Sequence, residues 1–127
     1  FAADTRDERL ALVADGITAH RERASPFFTV EAEPGPNMAV APWVQYAADD
    51  GLLNLDCRGS EVDAVASAIE SFGGATITER HSPEEAEGTN LRVAIRGDPE
   101  RVAMLVDSIF RDGFGLPAGY RAWVTAI

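Results

Sequence analysis

Glu84, Glu85 and Glu87 crowd into four positions of the stretch HSPEEAEGTNLRVAIRGD, which runs from His81 to Asp98. Glu84, Glu87 and Asn90 recur at intervals of three and could offer oxygen ligands to a hard cation, although the ligand count and spacing of an EF-hand loop are absent. The same residues also meet ordinary backbone needs. Ser82 is a good N-cap, Pro83 suits a first helical position, and Glu85 completes a capping box. Glu84 and Glu85 lie where a helix dipole favours negative charge, and Gly88 can take a left-handed cap. One helical turn joining two strands therefore uses nearly every residue of SPEEAEG, and this reading is preferred to the cation site.

The remaining reactive residues are sparse. His20 and His81 stand 61 positions apart, with no second metal ligand at helical spacing beside either. Cys57 is the single cysteine, so the chain can form neither an internal disulfide nor a thiolate cluster. Its place on the inward side of a strand predicts a small buried hydrophobe rather than a nucleophile. GFGLPAGY (113–120) is glycine-rich, but it follows a helix and precedes a strand, the reverse of a phosphate loop. The expectation is no catalytic residue, no metal and no cofactor.

Charge bounds the partners. The chain of 127 residues carries 21 acidic against 11 basic side chains, a net charge of −10, and every basic side chain is arginine. Lysine loss with such acidity points to a cytoplasm of molar salt, where a Debye length of about 3 Å screens the self-repulsion. A nucleic-acid partner is not expected, and no apolar run reaches the roughly 18 residues of a membrane span. The location expected from this charge balance is cytoplasmic. A hydrophobic content of 46% in this length predicts one α+β domain, long enough to bury about two thirds of its unfolded surface.

Periodicity supplies the elements. TRDERLALVADGITAHRER reads as a helix with a Thr5–Glu8 capping box and a Leu10, Val13, Ile17 stripe. Gly16 inside it costs about 1 kcal/mol relative to Ala. FFTVEA (27–32), WVQYA (43–47) and LLNLDC (52–57) read as strands, the last two joined by the turn ADDG. Ser60 caps a helix bearing Val62, Val65, Ile69 and Phe72, and Gly73-Gly74 ends it. Strands follow at 75–80 and 91–96. Asp98-Pro99 then opens a helix with Val102, Leu105, Val106 and Ile109, and YRAWVTAI (120–127) closes as a strand.

From residue 52 onward the order is βαββαβ, the pattern of ferredoxin-like domains. The expectation is a two-layer sandwich with that core at 52–127 and residues 1–47 as an N-terminal helix and strand extension. The whole order also resembles that of type III secretion chaperones, kept as the alternative. In the ferredoxin-like arrangement Arg80, Arg92, Arg96, Arg121 and Trp123 are expected on the outward sheet face, as a contact surface for a twin subunit or another protein.

At PWVQ (42–45), AEGTN (86–90) and GLPAGYRAWV (115–124) the chain resembles a family of small acidic haloarchaeal proteins of unknown function. The resemblance implies the salt-loving cytoplasm and transfers no catalytic residue. The functional expectation is a non-enzymatic interaction or assembly module that self-associates through a sheet face or edge. A small-ligand-binding regulatory domain is the alternative, and an enzyme ranks below both.

Overall fold

The structure is a computed structural model that describes residues 4–23, 28–36, 38, 40–47, 51–59, 61–82 and 88–126. Helix α1 (Arg6–Arg23) leads into strands β1 (Phe28–Ala32), β2 (Trp43–Ala47) and β3 (Leu52–Arg58). Helix α2 (Glu61–Phe72), strands β4 (Ala75–His81) and β5 (Gly88–Ile95), helix α3 (Pro99–Ser108) and strand β6 (Ala122–Ala126) follow. The six strands form one antiparallel sheet in the order β4-β5-β3-β2-β1-β6.

Strand alternation assigns the core. Phe28, Val30, Val44, Tyr46, Leu53, Leu55, Leu91 and Val93 are all buried, and the register sets Phe28 beside Tyr46, Tyr46 beside Leu53 and Leu53 beside Val93. They therefore share one face. The helices bury Val13, Ile17, Val62, Val65, Ile69, Val102, Leu105 and Val106 in the same core, so all three helices cover that face. No described helix lies on the other.

The α+β class and the helix and strand assignments agree with the sequence reading. The strand order does not follow a ferredoxin-like core in full. β3, α2 and β4 with β5 between the two strands make the expected split βαβ half. β6, however, pairs with β1, from Phe28↔Ala126 to Ala32↔Ala122. The cause is local: the short β2–β3 hairpin puts β2 on the flank of β3 that a ferredoxin-like last strand would occupy, and β1 stacks on β2. Residues expected as an extension thus supply two interior strands. The first eight elements keep the order of the chaperone alternative, and β6 is added to it.

Two helix details follow from packing and capping. Gly16 sits where a Cβ would enter the ring of Phe28, so this mid-helix glycine lets α1 settle onto β1. Asp98 caps α3 by accepting the Arg101 N–H at 3.0 Å, with Pro99 at the first position, as its sequence implied. The helix ends in a π-helical turn (Ile109–Gly113), where Gly113 closes against the backbone of Val65 in α2.

Candidate functional site

The carboxylate stretch falls largely outside the described residues: Glu84, Glu85 and Glu87 lie there, as do Pro83 and Ser60. Asn90 is described, and its amide nitrogen is already engaged. It donates to Asp56 Oδ1 at 2.8 Å, and a longer bond reaches the Leu55 carbonyl at 3.4 Å. Ser82 Oγ and Thr89 Oγ1 share a hydrogen bond of 2.8 Å between the end of β4 and the start of β5. His81 is the last residue of β4, exposed and opposite Asn90. Among the described residues no group of three or more His, Cys, Asp or Glu could hold a metal ion. Burial pushes the Cys57 thiol up to about 12, and the Glu61 and Asp56 carboxylates add to the rise while Arg80 opposes it. A thiol buried and held protonated in this way packs as a small apolar group.

The arginine and tryptophan set is divided by the structure. Arg92 and Trp123 do lie on the uncovered face, because they alternate with the buried Val93 and Ala122. Arg96 and Arg121 are exposed just beyond β5 and β6, in phase with them. Arg80 is a correction. A bulge at Thr78 shifts the β4–β5 register from Ile77↔Val93 to Glu79↔Arg92. The extra residue reverses the alternation, so Glu79 meets Arg92 at 3.4 Å on the uncovered face. Arg80 turns toward the helices, 4.0 Å from Asp63 of α2. Nor do Arg92 and Trp123 form one cluster. β3, β2 and β1 separate their strands, which is four strand steps or about 19 Å.

What gathers around Trp123 is different. The register places Glu31 of β1 opposite both Trp123 and Trp43. Trp123 Nε1 donates to Glu31 Oε2 at 2.9 Å. Both tryptophans of the chain therefore stand on the uncovered face, two strand steps or about 10 Å apart. A polar row of Thr125, Thr29, Gln45, Asn54 and Arg92 crosses the sheet beside them, and Ala47, Leu52 and Ala94 form an apolar row next to it. Asn54 Oδ1 is buried in that row without a hydrogen-bond partner. The face also carries both signs of charge. Glu31, Asp56 and Glu79 stand against Arg58 and Arg92, with Arg96 and Arg121 at its margins. It is close to balanced in a chain of net charge −10. The period-two pattern of WVQYA held the signal for Trp43, which the sequence reading did not use. The β1–β6 pairing that unites it with Trp123 had no local signal.

Sequence reasoning also missed a buried polar cluster. Arg9 of α1 is 1% exposed and Asp107 of α3 6%. Arg9 Nε donates to Asp107 Oδ1 at 3.1 Å, and its Nη1 to the Tyr120 carbonyl at 3.0 Å. Its guanidinium lies 3.8 Å from the centre of the Tyr120 ring. Tyr120 donates its hydroxyl to Asp107 Oδ1 at 2.7 Å, and burial with that bond raises its pKa. The cluster ties α1, α3 and the approach to β6 together. Its one signal was Arg9 lying four and eight positions before Val13 and Ile17, on the buried stripe. Two open grooves lie among the described residues. One of about 520 Å³ runs between α2 and the end of α3, past Ser67, Ser71, Ser108 and Asp112. The other, of about 440 Å³, lies between α1 and β6.

A model of a family of unknown function (DUF7975) matches residues 1–127. No curated protein and no solved structure matches the chain.

Proposed function

We propose, from the premise that the chain belongs to a family of unknown function (DUF7975) over its whole length, that the protein is a non-enzymatic assembly module. It self-associates through the sheet face or edge that no described helix covers, and it works at high salt. The observation that carries this reading is the distribution of helices. All three lie on one sheet face, and the other is left with Trp43, Trp123 and the Ala47, Leu52, Ala94 row. Tryptophan and arginine together on a surface favour contact with protein. A second copy is the occupant that charge favours. Two chains of net charge −10 repel over most of their surfaces, and they meet with least repulsion where the charges nearly cancel. Salt screens the remainder.

Both tryptophans are on this face, so their emission reports association directly. On dilution in multimolar KCl the emission should move to longer wavelength as the rings return to water. Emission and sedimentation coefficient that both stay constant, at monomer values, over a thousandfold dilution would overturn the proposal.

A further inference from the structure

We infer that the free edge of β6 pairs antiparallel with β6 of a second copy and joins the two sheets into one. Edge pairing presupposes the self-association proposed above, and it names the surface that makes it. The two sheet edges are built differently. β4 is blunted by the bulge at Thr78 and by the exposed Glu79, Arg80 and His81. Such devices keep an edge from pairing. β6 reads AWVTA, with no charge, proline, glycine or bulge.

The register follows from one hydrogen bond. Glu33 N–H donates to the Arg121 carbonyl at 2.8 Å, so the antiparallel alternation turns the backbone groups of Arg121, Trp123 and Thr125 toward β1. Those of Ala122, Val124 and Ala126 point the other way, where no described strand lies. Two such edges match best with Val124 opposite Val124 on the two-fold axis and Ala122 opposite Ala126 on either side. All three outward-facing pairs then exchange both bonds, about six hydrogen bonds in all.

The groove beside the edge fits that occupant. It is lined by Ala11, Leu12 and Gly16 of α1 and by Val124, with Glu8 and Asp15 on its rim. A strand entering it sets its helix-side residues against Leu12. In β6 these include Ala122 and Val124, small and uncharged, whereas a charged peptide would bury a charge there. The pairing also sets Trp123 opposite Thr125 of the second copy, with the two Trp123 positions diagonal to one another, about 7–8 Å apart and within reach of aromatic side chains. The aromatic faces of both copies thus become continuous. The carboxylates of Glu8 and Asp15 from the two copies approach one another, so salt should strengthen the association.

Cross-linking tests this. Hydrogen-bonded antiparallel partners have Cα atoms about 5.5 Å apart, within the range of a disulfide. Val124→Cys should oxidise to a covalent dimer, while Thr76→Cys, exposed on the opposite edge strand, should not. Cys57 is buried and stays silent. Val124→Pro removes an N–H that points away from β1, a substitution an edge strand tolerates, and should weaken the dimer about tenfold to a hundredfold. Should that variant unfold, Thr125→Lys places a charge at the same edge and gives the same readout. If the unaltered protein dimerises but Val124→Cys does not cross-link, edge pairing is wrong and the assembly reading stands. A monomeric unaltered protein sinks both.

Discussion

Truncating Asp107 to Ala isolates the cost of the buried cluster. The side chains of Arg9 and Asp107 are only 2% and 7% exposed, so the pair is nearly dry. Removing the carboxylate leaves the Arg9 guanidinium buried, with its Nη2 already lacking a partner. It also takes the acceptor from the Tyr120 hydroxyl. Breaking a buried pair from one side costs about 3–5 kcal/mol. An unfolding entropy near 2.1 cal/mol/K per residue makes that a fall in Tm of about 11–19 °C for a chain of this length. Thermal unfolding followed by circular dichroism in 3 M KCl measures it. Little of the loss should depend on salt, because a buried pair is poorly screened. Replacing the three polar partners together, as Arg9→Met, Asp107→Leu and Tyr120→Phe, should recover most of it. A loss below about 1 kcal/mol for Asp107→Ala, or one that vanishes at high salt, is what an exposed pair would give and would refute the packing of α1 on α3.

Gly16→Ala should destabilise the protein although it gains about 1 kcal/mol of helix propensity, because the new methyl meets the Phe28 ring and overpacking costs about 1–3 kcal/mol; a higher urea midpoint for the variant would show that α1 does not rest on β1 there. Cys57 should resist a thiol reagent at pH 8 until denaturant is added, and labelling of the native protein at the rate of a free thiol would contradict its burial. The Cys57 pKa is raised from 9.0 to about 12 by folding, so its contribution to stability is complete below pH 9 and declines as pH rises toward 12. Tyr120, also raised, acts in the same direction, and urea midpoints at pH 8 and pH 10.5 should show a drop; an unchanged midpoint counts against both burials. Trp43→Glu should leave the β6 edge contact intact and move Tm by only about 2–4 °C, since the side chain stands on the uncovered face two strands in from that edge; a lost dimer would place the contact on the face and not on the edge.

Local signals were readable wherever the chain specifies itself locally. The Leu53, Leu55, Cys57 alternation, the Asp98-Pro99 cap and the Gly73-Gly74 stop each follow from residue type and spacing, and each stands in the structure. Pairings between distant segments were not readable. β6 joins β1 across more than ninety residues, and no residue in AWVTA names FTVEA as its partner. The Thr78 bulge shows only against β5, and its one trace in ATITERH is Glu79, which falls in phase with the inward Ala75 and Ile77. That one insertion moved Arg80 off the proposed face. Arg9 was hidden for the opposite reason: charge suggests solvent, and only its position on the Val13–Ile17 stripe argued for burial. The uncovered face was thus half legible, with Arg92 and Trp123 assigned by alternation and their separation fixed only by topology.

Sedimentation equilibrium of the unaltered protein, at several concentrations from 0.2 to 3 M KCl, bears most directly on self-association through the sheet. The expected mass is twice the chain's 13.6 kDa, with the dimer gaining strength as KCl rises. A mass of 13.6 kDa at every concentration and salt would contradict it.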